Sequence, residues 1–157
     1  IIGVIPARLE STRFPRKILF TIRNKPMVMH VYERALKAKK IDRVMIAVDS
    51  QETINALKDY DVEIVMTSPK HQSGTDRIAE AVTNIDTEIV VNIQGDEPML
   101  DPKMIDDLIS QFDDKTVKIA TLASTVITED DFNNPDTAAA AGRCNGGDRI
   151  TFHFFYN

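Results

Sequence analysis

Four cations, Arg8, Arg13, Arg16 and Lys17, fall within the eleven residues from Ala7 to Lys17, and Glu10 is the one acid among them. The chain as a whole carries a formal charge of -5. Positive charge gathered into one loop of an acidic protein suits a small, highly charged anion. Arginine offers planar paired donors to phosphate, and lysine adds a compact point charge. Ser11 and Thr12 supply further donors. A solvated basic loop is the plainer reading. The loop's place directly after the apolar run Ile1–Ile5 tips the balance toward phosphate. Neither the Gly-x-Gly-x-x-Gly fingerprint nor the P-loop pattern occurs, so the grip must come from side chains.

A second group is Gln94-Gly95-Asp96-Glu97-Pro98, after the apolar run Ile89–Ile93. Gly-Asp-Glu-Pro is a good turn on its own account. A buried strand ending there would also bring the Asp96 carboxylate to a ligand, and a hard carboxylate suits Mg²⁺, which takes one or two of them beside phosphate oxygens. Glu97 is the weaker candidate, fit to brace the turn. The third group is His71-Gln72-Ser73-Gly74-Thr75-Asp76-Arg77. Ser73 with Asp76 three residues on is a helix-capping pattern, and a helix start also presents free N–H groups to polar ligand atoms. Arg77 could pair with a phosphate, a base carbonyl or an acid, and spacing does not choose among them. His71, His30 and His153 show no ligand spacing, His30 reads as structural, and Cys144 has no catalytic partner.

These groups need a scaffold that brings them together. Apolar runs alternate with helical patterns: strands at Ile1–Ile5, Val44–Val48, Val62–Met66, Ile89–Ile93 and Val117–Ala123. Between them, Val28, Val31, Tyr32 and Ala35 mark one helix face, with Pro26 suited to its first position. Glu52–Tyr60, the face Ile78–Ile85 and Met104–Phe112 read as further helices. The alternation predicts right-handed βαβ units and an α/β fold with a mostly parallel sheet. Ligands of such sheets bind at the carboxyl ends of the strands, where Ala7–Lys17, Asp49-Ser50 and Gln94–Glu97 all fall.

The 157 residues, 43% hydrophobic and 27% charged, suit one soluble domain. A pI near 5.2 argues against sequence-independent nucleic-acid binding, and no apolar run is long enough to span a membrane. One cysteine excludes an intramolecular disulfide and fits a cytoplasmic setting. The domain is expected to cover residues 1–136. Residues 137–157, with the alanine run Ala138–Ala141 and scattered glycines, remain unassigned and read as a truncated or poorly determined end.

Together the motifs resemble the 3-deoxy-manno-octulosonate (KDO) cytidylyltransferases. The likeness is carried by Ile5-Pro6-Ala7-Arg8, Ser11-Thr12-Arg13, Pro15, Lys17, Lys25-Pro26-Met27 and His30-Val31-Tyr32-Glu33. It continues through Met66-Thr67, His71–Arg77, Asn92–Met99 and Asn133–Pro135. Asn24 stands where the family usually has glycine before Lys-Pro-Met.

The resemblance implies a Rossmann-like three-layer α/β/α, glycosyltransferase-A-like nucleotidyltransferase fold. It implies the reaction CTP + KDO → CMP-KDO + pyrophosphate, with Mg²⁺, in lipopolysaccharide biosynthesis, and a homodimer in the full-length form. Arg8, Arg13 and Lys17 would grip the triphosphate. Ala7, Met66 and Ser73 would meet the cytosine, partly through backbone groups, with Arg77 supporting that wall. Asp96 would bind the metal and Gln94 would face the sugar acid. The family's second metal-binding aspartate, most of its sugar pocket and its dimer contacts come from a further half that is absent or unrecognisable after Asp136. Two other readings are a cytidylyltransferase for another acidic sugar and a non-catalytic CTP-binding fragment.

Overall fold

The computed structural model describes residues 1–10 and 14–122. The strands are β1 (Ile2–Ala7), β2 (Thr21–Ile22), β3 (Lys25–Pro26), β4 (Arg43–Val48), β5 (Ile64–Met66) and β6 (Val90–Asn92). The helices are α1 (Met27–Ala35), α2 (Gln51–Leu57), α3 (Gly74–Ala81) and α4 (Pro102–Ser110). One-turn 3-10 helices occupy Lys17–Leu19 and Gln111–Asp113.

Four strands form a parallel sheet in the order β5-β4-β1-β6. β1 lies inside it, pairing with β4 from Ile2↔Arg43 to Ala7↔Val48 and with β6 from Ile2↔Val90. A strand covered on both faces must be apolar on both, and Val4, Ile5 and Ala7 have no exposed surface. Alternation sends Ile5 and Ala7 to one face, where they pack with Val44, Ile46 and Val91 beneath α1 and α4. Ile2, Val4, Met45 and Ala47 face the other way, against Ile78 and Ala81 of α3. The molecule therefore has three layers, α/β/α. Full burial of a side chain such as Ile46 contributes about 1.5–3 kcal/mol.

Local chemistry explains where the helices begin. Ser50 Oγ accepts the Glu52 amide at 3.1 Å, Ser73 Oγ accepts the Asp76 amide at 3.1 Å, and Asp101 Oδ1 accepts the Lys103 amide at 3.0 Å. Each satisfies a backbone donor that the first turn leaves unpaired. α1 is different. Pro26 precedes the helix instead of opening it, because Lys25–Pro26 first pairs with Thr21–Ile22 in a small hairpin. Arg23 and Asn24 close that hairpin with φ of 48° and 63°, the signs a two-residue type I′ connection requires.

The apolar segment from Val117 is not a ladder strand. Among the described residues, 117–121 carry no strand and Leu122 makes an isolated bridge. Ile119 is 45% exposed, and Val117, Ala120 and Leu122 are only half-buried against the core. Residues 123–157 and 11–13 lie outside the described set, and with them Arg13, Cys144 and His153.

Candidate active site

The cleft forms where β1 and β6 end. It has a volume of about 230 Å³ and is lined by Pro6, Arg8, Lys17, Ile18, His71, Gln72, Ser73, Gly74, Arg77, Gln94, Gly95 and Asp96. All three motif groups therefore meet on one rim. Two close approaches shape its floor. A Cβ on Gly74 would lie 3.2 Å from Pro6 Cγ, and one on Gly95 would lie 3.3 Å from Ile5 Cγ2. The cleft shares Arg8, His71 and Gln72 with an adjoining hollow of about 530 Å³, which Asp49, Ser50 and Pro69 also line.

Six of the nine candidate residues line this cleft: Arg8, Lys17, Ser73, Arg77, Gln94 and Asp96. Arg8 is exposed just past β1 and makes no ion pair among the described residues. Lys17 opens the 3-10 helix that follows the cationic loop, and its Nζ lies 2.6 Å from Asp96 Oδ2. Ser73 donates through Oγ–H to Asp76 Oδ2 at 2.7 Å while it caps α3. Gln94 donates from Nε2 to Asn92 Oδ1 at 3.3 Å. Ala7 and Met66 are not on the lining. Ala7 is buried within β1, and Met66 ends β5 with 46% exposure. Arg13 lies outside the described residues.

Arg77 has an acid for its partner. Its guanidinium is 2% exposed, with Nη2 3.0 Å from Asp49 Oδ2 and Nη1 2.6 Å from Thr67 Oγ1. Thr67 in turn donates to the Val48 carbonyl at 2.7 Å. The two ion pairs of the cleft thus differ in kind. Lys17 and Asp96 are each about 40% exposed, so separating them costs roughly 0.2–1 kcal/mol. Taking one partner from the buried Arg77–Asp49 pair would cost about 3–5 kcal/mol. The first pair is free to open for a ligand, and the second is part of the frame.

Burial, followed by the Asp96 charge, holds the Glu97 carboxyl above its ordinary value, with Lys17 opposing them. Glu80 sits below its ordinary value, chiefly through the Ser68 amide and then His71, whose Nε2 it also binds. His71 is thereby tied to α3 beside the cleft. His30 Nε2 lies 2.8 Å from the Ile22 carbonyl oxygen, a structural role at the hairpin. Sequence reasoning marked Asp49-Ser50 only as a rim position and missed the contacts of Thr67 and Glu80. Asp49 follows a buried strand, which was the available signal.

The family profile described as cytidylyltransferase matches residues 2–147. The chain belongs to the cytidylyltransferase family. Within that family it is 44% identical over 153 residues to the 3-deoxy-manno-octulosonate cytidylyltransferase of Thermodesulfovibrio yellowstonii, covering 92% of this chain and 60% of that relative. It is 44% identical over 137 residues to the enzyme of the same name from Geobacter sulfurreducens, covering 87% and 55%. This cytidylyltransferase chain therefore spans little more than half the length of the curated relatives it matches. Its fold is similar to a CMP:2-keto-3-deoxy-manno-octonic acid synthetase solved in complex with CTP. The TM-score is 0.73 at 38% identity, over 76% of this chain and 51% of that one. A cytidylyltransferase of Leptospira borgpetersenii, 24% identical with a TM-score of 0.64 over 75% and 51% of the two chains, shares the fold.

Proposed function

We propose that the cleft is the nucleotide site of a KDO cytidylyltransferase. The chain would contribute the CTP-binding part of CTP + KDO → CMP-KDO + pyrophosphate. The observation that carries this reading is the meeting of Arg8, Lys17 and Asp96 in one cleft of a chain belonging to the cytidylyltransferase family. The solved relative that resembles it at 38% identity holds CTP.

The residues suit the charge of a triphosphate. Arg8 presents a planar fork of donors, and Lys17 has only a half-exposed partner to release. Arg13 would join them from the same loop. Ser73 stands at the start of α3, where backbone N–H groups and the helix dipole favour polar or anionic atoms. Ala7 and Met66 would meet the cytosine from the ends of β1 and β5, with Arg77 bracing that wall from below. Gln94 would turn its carboxamide toward the sugar acid.

The donor set also fits Mg²⁺. Asp96 is a half-exposed carboxylate at the cleft, while burial favours the neutral form of its neighbour Glu97. Among the described residues no cluster of three or more acids, histidines or cysteines forms, so nucleotide phosphates would complete a shell around Asp96. When bound, the ion would neutralise phosphate charge and polarise phosphoryl oxygens. Lys17 and Arg8 would stabilise the charge that builds on the leaving pyrophosphate as the sugar hydroxyl attacks the α-phosphorus and loses its proton.

The KDO acceptor rests on the resemblance and on the relatives' names, the homodimer and the lipopolysaccharide pathway on the resemblance alone, and a cytoplasmic setting on the single cysteine. No helix among the described residues is long and apolar enough to cross a membrane. The domain is assigned to residues 1–136, with 137–157 unassigned. The test is calorimetry with CTP and Mg²⁺, followed by pyrophosphate release on addition of KDO. Binding with release supports the full reaction, and no binding overturns the reading. Binding without release favours a CTP-binding portion, a second reading prompted by the chain's coverage of little more than half its relatives' length.

A further inference from the structure

The cationic loop is closed at a neck. The Leu9 carbonyl accepts the Arg16 amide at 3.0 Å, so the chain that leaves β1 returns to the same point seven residues later. The Leu9 side chain is buried, which fixes the neck on the core side. On its other side the Leu9 amide donates to Asp49 Oδ1 at 3.0 Å. The second oxygen of the same carboxylate receives Arg77 Nη2 at 3.0 Å. Arg77 belongs to α3, whose N-cap residue Ser73 lines the same cleft as Arg8.

We propose that Asp49 is a positioning residue for the nucleotide grip, tying the neck of the cationic loop to α3 and so setting the separation of Arg8 from Ser73. The proposal rests on the reading of the cleft as the CTP site. Stability alone is a weak reason for such a pair, since apolar side chains of similar volume commonly do as well in a buried place. Geometry supplies a better one. A carboxylate has two oxygens at a fixed separation, and Asp49 gives one to the loop neck and the other to α3. Thr67 Oγ1, held by the Val48 carbonyl, fixes the other arm of the guanidinium, so Arg77 cannot swing and carry the anchor with it. Arg8 immediately precedes the anchored Leu9, and Lys17 immediately follows Arg16, so both cations are placed by the neck.

The consequence to be measured is transmission. Among the described residues no hydrogen bond joins Arg77 to Leu9 directly, yet replacing Arg77 should loosen Leu9. Amide exchange at Leu9 and CTP affinity are read for the wild type, Asp49→Ala, Arg77→Met and the double variant. The double variant leaves no unpaired buried charge and is the one expected to keep the fold if either single fails. Leu9 should exchange about tenfold faster in every variant, the weight of one hydrogen bond, while Val4 and Ile5 keep their protection. The loss of CTP affinity in the double should be no greater than in either single, because both changes break one link. Unchanged Leu9 exchange in the double variant overturns the proposal, as do affinity losses that multiply. If the wild type binds no CTP, the site reading fails, and the Leu9 exchange alone decides whether the anchor exists.

Discussion

Lys17 and Asp96 hold each other across the cleft at 2.6 Å, and both remain about 40% exposed. Because that pair is cheap to open, Lys17→Ala should leave the fold's melting temperature nearly unchanged while removing the cation proposed to grip phosphate. In an enzyme able to turn over, the expected loss in kcat is about 10²–10³-fold, the usual effect of deleting one preorganised donor. Wild-type turnover in folded Lys17→Ala would end that assignment. Glu97 gives a pH signature. Its folded value is raised above the ordinary 4.5 by burial first and Asp96 second, so ionisation works against folding. The stability is whole below the unfolded value and declines as pH rises through the folded one. Glu97→Gln should therefore match wild type in denaturant melts below that value and exceed it above, and a gap that does not widen with pH refutes the cause given. At this scale the sequence was only partly legible. Lys17 and Asp96 could be placed on one rim, because both follow strands. Arg77 could not be assigned a partner, because Asp49 lies 28 positions away and meets it only through the packing of α3 on the sheet.

The caps separate helix stability from ligand binding. Ser73 and Asp101 each accept an amide in the first turn of their helices, but only Ser73 lines the cleft. Both Ser73→Ala and Asp101→Ala should cost about 1 kcal/mol in thermal or urea unfolding. Only the former should also weaken CTP in calorimetry, and equal effects on binding would remove Ser73 from the site. The hairpin before α1 carries another test. Asn24 has φ of 63°, a conformation glycine adopts without strain. Asn24→Gly should raise stability by up to about 1 kcal/mol, and a drop would show that the asparagine side chain supports the turn. Patterning located α1, α3 and α4 well and their ends less well. The hairpin was not foreseen, because two-residue strands have no periodicity to detect. The segment from Val117 shows the opposite failure: its apolar residues are only half-buried against the core, and among the described residues they form no ladder strand.

For the molecule as a whole, both faces of the sheet were legible from the alternation of apolar residues in β1 and β4. What the alternation cannot say is how unequally the faces are covered. One face carries α1 and α4 with Leu57 of α2. Among the described residues, α3 is the only helix in the cluster on the other, where Ile78 and Ala81 lie over Ile2, Val4, Met45 and Ala47. That same helix bears Arg77, and Ser73 caps it. When α3 lifts, it therefore uncovers a core and dismantles part of the cleft lining in one event. Any ligand held at Ser73 must suppress that opening, and its effect should be recorded well away from the cleft, as slower amide exchange at Ile78, Ala81 and Val82. Ligand occupancy would then protect this face from proteases as well as fill the cleft, making resistance to digestion a report on how much nucleotide is bound.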